Sequence, residues 1–546
     1  MSFSEERRKI TGAALVVSLA TLGGRVVGFA RDLVVAFIFG VSAETDAFLV
    51  AFRIPNLLRR LFAEGALSVA FIPVFTEVLR RKGAQEAAYL LRNTLSMLAM
   101  VLLAGSALGV LFAPQIITAV APGFRARPET FALAVDLTRW CLPYVFFISL
   151  AALAGGALNS QEHFFAPAIS PVVLNLSIIA CALALSPLID PPITALAVGV
   201  LLGGAAQLMV QIPFLRARGM SLWPAWKPRD PDLRRMLGLM APAALGAAVY
   251  QATILANTIL ASLLPTGSVS YLYYAERLIE FPIGLCAIGI TTAILPSLSR
   301  QAADKDMPGL LDTLTFGLRI ISFAVMPAMV GILVLAEPLI TLLFLRGRFT
   351  PHDVEQTVRA IVGYGVGIWA FSAGRTVASV FFALQETRIP VLVAGGCMVV
   401  NVAAAVLLIG PLGHAGLALA SSIAAIANLL GLLWMLRRRL GPLGMRRNLA
   451  FVIRCAGLSL LMAAVAWAVA YLPDWEAAGR VWHTLARPLA AIVAGGLSYL
   501  AGAAALGMLE LRAALDMLRS RKQGGRRGLR PGRKAGPPGG EDCGSQ

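Results

Sequence analysis

The sequence predicts an all-α polytopic membrane protein: about fourteen transmembrane helices, two six-helix bundles related by a parallel repeat, and two more helices at the C-terminal end. Three observations predict it. The 546 residues are 58% hydrophobic and only 14% charged, with a mean hydropathy of +0.77, more apolar surface than a soluble domain can bury. Apolar runs of roughly 20 residues, the length that crosses hydrocarbon, recur along nearly the whole chain. Shifted by about 224 residues, the chain partly matches itself.

Reading apolar runs between turn signals places helix cores near 11–36, 44–60, 89–112, 131–158, 168–186 and 193–215. The second set is 236–263, 269–296, 310–336, 357–384, 390–410 and 415–436, and the last pair is 449–472 and 486–508. Long unbroken runs exclude a transmembrane barrel, which would show short alternating strands. The first helix follows MSFSEERRKI without a cleavage site, so it reads as a retained span. With that end cytoplasmic, inside connections and termini hold about 30 of the 47 Lys and Arg. The outside loops hold Arg125, Arg127, Arg346, Arg348 and Arg480. An even helix number leaves both termini cytoplasmic. The net charge of +18 thus reflects topology rather than nucleic acid.

The repeat sets Asp46-Ala-Phe-Leu-Val-Ala-Phe-Arg53 against Ser270-Tyr-Leu-Tyr-Tyr-Ala-Glu-Arg277, VAFIPVF (69–75) against TAILPSL (292–298), and Asn175 against Asn401. It divides the chain into an N-terminal lobe (1–218), a C-terminal lobe (232–440), the extra pair (449–508) and a Gly-, Pro- and Arg-rich tail (519–546) expected to be disordered. Two bundles inserted in the same sense are a transporter architecture, with the substrate path between the halves.

Charges inside the spans point to that path, because a charge at helix centre costs roughly 2.5–3.5 kcal/mol on insertion scales and so faces protein or a wet cavity. The first helix carries Arg25, Arg31 and Asp32; Arg25 and Asp32 share a face, so a local pair between them is the bland reading, which leaves Arg31 unexplained. The second carries Asp46, Arg53, Asn56, Arg59 and Glu64, and the eighth carries Glu276, Arg277 and Glu280. Facing one another across the repeat, these helices would enclose a net-positive cavity suited to an anion, and Arg suits bidentate phosphate contacts. Six scattered cysteines and four isolated histidines give no disulfide framework, metal site or catalytic cluster, and there is no GxSxG and no P-loop.

The stretches GRVVGFARDLVVAFIFG (24–40), TDAFLVAFRIPNLLRRLFAEGALSVAFIPVFTE (45–77), YYAERLIEFPIGL (273–285) and ILPSLSR (294–300) together resemble the MurJ (MviN) family of lipid II flippases, within the multidrug/oligosaccharidyl-lipid/polysaccharide exporter superfamily. The resemblance covers roughly residues 10–510. It implies a bacterial inner-membrane protein that moves undecaprenyl-diphosphate-linked peptidoglycan precursor from the inner to the outer leaflet, with no cofactor. The membrane potential or an ion gradient would drive it, and lipid II, membrane lipids and cell-wall synthesis proteins would be its partners. By motif match, Arg25, Arg31 and Arg277 would hold the diphosphate and sugar headgroup. Asp46 and Arg59 would act in gating, with Arg53, Asn56, Glu64, Glu276 and Glu280 in support, and the extra pair of helices would groove the polyprenyl tail. Gly24 stands where some members have serine, and Arg53 where some have lysine. Rival readings are an exporter of drugs or another lipid-linked glycan, a glycan polymerase, and a scaffold.

Overall fold

The computed structural model describes residues 3–60, 68–443, 445–471 and 485–508. The regular secondary structure of these residues is all helical, with no strand among them. Glu64 and the basic tail 519–546 lie outside the described residues.

The N-terminal half runs α1 (Phe3–Phe39), α2 (Ala43–Arg59), α3 (Ser68–Arg81), α4 (Ala84–Leu111), α5 (Ala113–Val120), α6 (Pro128–Cys141), α7 (Tyr144–Ser160), α8 (Phe165–Leu185) and α9 (Thr194–Arg216). The C-terminal half follows with α10 (Pro231–Ser262), α11 (Ser268–Pro282), α12 (Ile288–Ala303), α13 (Met307–Val334), α14 (Ala336–Phe344), α15 (Pro351–Gly365), α16 (Ile368–Ala383), α17 (Arg388–Leu412) and α18 (His414–Leu440). The final pair is α19 (Met445–Tyr471) and α20 (Arg487–Ala505).

Ten helical stretches among the described residues are long and apolar enough to cross a membrane by length and composition. The predicted first, second, seventh and eighth spans are not among them. Arg25, Arg31 and Asp32 interrupt the apolar run of α1, and α2 and α11 are single short segments of 17 and 15 residues.

Local chemistry sets the breaks. Ser42 caps α2 by accepting the Thr45 N–H at 3.1 Å, and Thr350 and Asp353 form a reciprocal capping box at the start of α15. After Pro282 the chain makes a π-helical turn, Ile283–Ala287, before α12; such turns recur at functional sites. Gly40, in the turn into α2, has φ +59°, and a Cβ there would stand 2.5 Å from the Arg348 carbonyl oxygen, so only glycine fits.

Packing is uneven along the bundle. At the end where α1 passes into α2, a single buried core draws on both halves, from Phe39, Phe48 and Ile117 to Tyr274, Phe344 and Ile361. At the opposite end the cores separate. One gathers Phe71, Phe75, Leu91 and Leu153 around α3, α4 and α7 with the start of α10; the other gathers Leu298, Leu314, Val377 and Phe381 around α12, α13 and α16. The halves thus share a core at one end; at the other their cores are parted by a cleft, crossed by the start of α10, whose Asp232 and Arg235 pair with Lys82 and Glu77 of the N-terminal half. The α19–α20 pair sits outside the cleft, packed on α13 through Phe323, Cys455 and Tyr499.

Candidate functional site

Asp32 is the centre of the charged cluster. Its carboxylate Oδ1 accepts from Arg31 Nε (3.1 Å), Arg31 Nη2 (2.6 Å) and the Tyr273 hydroxyl (2.7 Å), and Oδ2 faces Arg277 Nε at 3.3 Å. Arg31 also donates Nη1 to Asn175 Oδ1 at 3.0 Å and Nη2 to Tyr273 at 2.9 Å. Arg277 lies over the Tyr273 ring, 4.8 Å from its centroid, and donates Nη1 to Glu280 at 2.8 Å. One buried carboxylate therefore binds an arginine from each half. Buried ion pairs of this kind are costly to form and costlier to break, about 3–5 kcal/mol when one partner is removed. The Arg277 side chain stays 35% exposed, so the cluster reaches the cleft.

Arg25, seven residues before Asp32, does not pair with it, contrary to the bland reading. The long Arg31 side chain folds back onto its sequence neighbour, and α11 supplies the second arginine. Arg25 is exposed and crosses instead to the π-helical turn, where a Cβ on Gly284 would come within 2.4 Å of Arg25 Nη1, so the guanidinium rests against bare backbone. Arg53 also crosses between the halves, from α2 to α10, donating Nη1 to the Thr258 hydroxyl at 2.8 Å. Asn56 donates to its own helix at Phe52 O (3.2 Å). Arg59 lines a cavity within the N-terminal half. Glu276 and Glu280 are exposed, and Arg60 of α2 is close enough to act electrostatically on Glu280. Among the described residues, five arginines (25, 31, 53, 60, 277) against three carboxylates (32, 276, 280) leave two excess positive charges. With low-dielectric walls, such a cleft favours an anion.

Asp46 lies apart from this cluster, at the closed end. It is 1% exposed and accepts the Gly267 N–H (2.6 Å), the Ser270 N–H (2.9 Å) and the Ser270 hydroxyl (2.6 Å). It caps α11 from the other half of the molecule. Two neighbouring contacts reinforce the closure: Arg348 N–H donates to Phe37 O at 3.0 Å, and Arg127 Nη2 donates to Ser262 O (3.2 Å) and Leu264 O (3.1 Å).

Sequence reasoning missed Tyr273, Thr258 and the central role of Asp32. In the sequence, Asn175 and Ser270 stand out only as landmarks of the repeat. The available signal for Asp32 was the Arg-Asp dipeptide in a span, where an adjacent arginine needs a counter-ion.

A family model described as "Lipid II flippase MurJ" matches residues 35–482. The chain is 36% identical over 524 residues to a probable lipid II flippase MurJ of Vibrio cholerae, covering 93% of this chain and 99% of that one. It is 38% identical over 467 residues to the lipid II flippase MurJ of Burkholderia cenocepacia, covering 85% and 90%. Among solved structures, a lipid II flippase MurJ in an inward closed conformation superposes with a TM-score of 0.76 at 28% identity, covering 90% of this chain and 98% of that one. An inward-facing multidrug resistance transporter of the MATE family and MOP superfamily gives 0.65 at 17% identity, covering 79% and 99%, a likeness of fold alone.

Proposed function

The chain belongs to the MurJ family of lipid II flippases, and from that premise we propose that it carries lipid II, an undecaprenyl-diphosphate-linked disaccharide-pentapeptide, from the cytoplasmic to the outer leaflet by alternating access. The observation that carries this reading is Arg31 and Arg277, one from each half, converging on the single carboxylate of Asp32. A diphosphate offers several oxygens of higher charge density than one carboxylate, so it can compete for both guanidiniums and bridge the halves as Asp32 does. Arg25 would add a third contact from the cleft wall.

On the positive-inside orientation, the end closed by Asp46 faces outward and the parted end faces the cytoplasm, the side where the precursor is made. Headgroup would enter there while the prenyl tail stays in lipid along α19 and α20. Lobe boundaries at 218 and 232 would let each half rock as a unit. The membrane potential is one fitting energy source, since each charge moved through 100 mV is worth about 2.3 kcal/mol. Cell-wall synthesis proteins are the partners this role calls for.

The test is exposure of lipid II on the outer leaflet of cells depleted of their own flippase, read by an impermeant enzyme that cleaves the headgroup. The wild-type chain should restore cleavage, and Arg31→Ala at equal membrane level should not. Full restoration by both Arg31→Ala and Arg277→Ala would overturn the assignment of the cluster; no restoration by wild type would overturn the substrate.

A further inference from the structure

Asp32 is held by two charged side chains and one neutral one, and the neutral one is Tyr273. Tyr273 stands one helical turn before Arg277 on the same face of α11 and is partly buried. Its hydroxyl meets both residues that α1 contributes, 2.7 Å from Asp32 Oδ1 and 2.9 Å from Arg31 Nη2. Its ring carries the Arg277 guanidinium, 4.8 Å from the centroid. The ring of Tyr274 meets that of Tyr273 edge-on at 5.6 Å, and Tyr274 is fully buried in the core that the halves share. Tyr273 therefore touches Arg31, Asp32 and Arg277 at once and is braced from the core.

The polarity of these contacts is fixed. A guanidinium only donates and a carboxylate only accepts, so the hydroxyl gives its hydrogen to Asp32 and receives one from Arg31. When a diphosphate draws the two guanidiniums away, Asp32, 2% exposed, keeps its charge in the interior without its ionic partners. An uncompensated buried carboxylate opposes that exchange strongly. The phenol carries no charge for the diphosphate to attract, and its bond to the carboxylate, strengthened by the charge, persists through the exchange. The ring has a second use. A guanidinium stacked on an aromatic face presents its N–H groups edgewise, so Arg277 stays aimed at oxygen acceptors while it changes partner.

We propose that Tyr273 is a positioning residue of the flippase: its hydroxyl holds Asp32 while Arg31 and Arg277 pass from the carboxylate to the substrate diphosphate, and its ring keeps Arg277 over the site. This rests on the flippase reading and names the residue that lets one anion replace the other. Tyr273 acts through its neighbours, and its hydroxyl matters only while Asp32 carries a charge.

The test uses the full chain in lipid nanodiscs, titrated with a short-chain prenyl diphosphate. Tyr273→Phe keeps the ring and removes the hydroxyl; affinity should fall roughly tenfold, the loss of one hydrogen bond to a charged group. In an Asp32→Asn background no charge needs holding, and the same substitution should change affinity by less than about twofold. Tyr273→Leu removes the ring as well and should weaken binding by about two- to fivefold more in either background. If the Asp32→Asn chain does not fold, the salt dependence of Tyr273→Phe carries the test. Both arginines still meet the diphosphate there, so added salt should weaken binding as steeply as in wild type. Wild-type affinity in Tyr273→Phe, an equal loss in both backgrounds, or a flatter salt dependence would overturn the role of Tyr273 alone. A wild-type chain that binds no prenyl diphosphate would overturn the flippase reading together with it.

Discussion

Replacing Asp46 by alanine should open the end of the cleft that it closes. Asp46 receives three hydrogen bonds from the turn and first residues of α11, across the boundary between the halves. Losing a carboxylate cap costs about 1 kcal/mol, and losing the hydroxyl bond to a charged acceptor costs about 1.5–3 kcal/mol. Relief of the buried carboxylate's desolvation returns part of this. A net loss of roughly 2–3 kcal/mol shifts the closed-to-open ratio about 30- to 150-fold. Spin labels at the exposed positions Arg125 and Arg346, one on each half near this end, would report it as a distance distribution in a cysteine-free chain. The variant should gain a long-distance population absent from wild type. Ser270→Ala, which removes only the hydroxyl bond, should gain less. An Asp46→Ala distribution identical to wild type would refute the reasoning, because the interaction would then hold nothing shut.

Three other substitutions have definite expectations. Asn93, fully buried, exchanges hydrogen bonds with the Lys227 N–H (2.8 Å) and C=O (3.0 Å) and so pins the strap joining the halves; Asn93→Ala should cost about 2–3 kcal/mol and lower the thermal midpoint by several degrees without altering substrate affinity. Gly284→Ala places a methyl group where Arg25 rests, so Arg25 must withdraw; titration of a prenyl diphosphate should show affinity reduced several-fold in a normally folded protein. Thr258→Asp puts a carboxylate opposite Arg53 and removes one of the two excess positive charges. Diphosphate binding should weaken and become less salt-sensitive, and unchanged salt dependence would show that Arg53 lies outside the field the anion feels.

Much of this site was legible in the sequence because charges in apolar spans have few permitted positions. Arg31, Asp46, Arg53 and Arg277 could be singled out by insertion cost alone, and each makes a contact between the halves or at their boundary. Partner choice was not legible. Helical periodicity puts Arg25 and Asp32 on one face, but it is blind to Tyr273, which arrives from α11 and completes the ring of donors around Asp32. Gln207 and Gln211 of α9 were hidden for a different reason: glutamine in an apolar helix is unremarkable by composition, and only packing reveals two buried amide oxygens without a partner among the described residues.

The repeat explains why the two ends of the cleft behave differently. Asp46 and Ser270 occupy equivalent places at a separation of 224 residues, and they touch each other. Equivalent residues of a two-fold repeat can meet only near its axis, so the closure sits where rocking of the halves has the least lever arm and where a short polar contact can hold both. Arg53 and Arg277 are equivalent too, and each reaches across to the first helix of the other half. Their acceptors differ: a neutral hydroxyl for Arg53, a buried carboxylate ringed by Arg31 and Tyr273 for Arg277. A symmetric frame can rock without preferring either half, whereas a substrate with one diphosphate needs one anchor. The asymmetry between Thr258 and Asp32 supplies it: Arg277 is held by a competitor that an anion can displace, and Arg53 by a group that leaves its charge uncompensated and available to the rest of the headgroup.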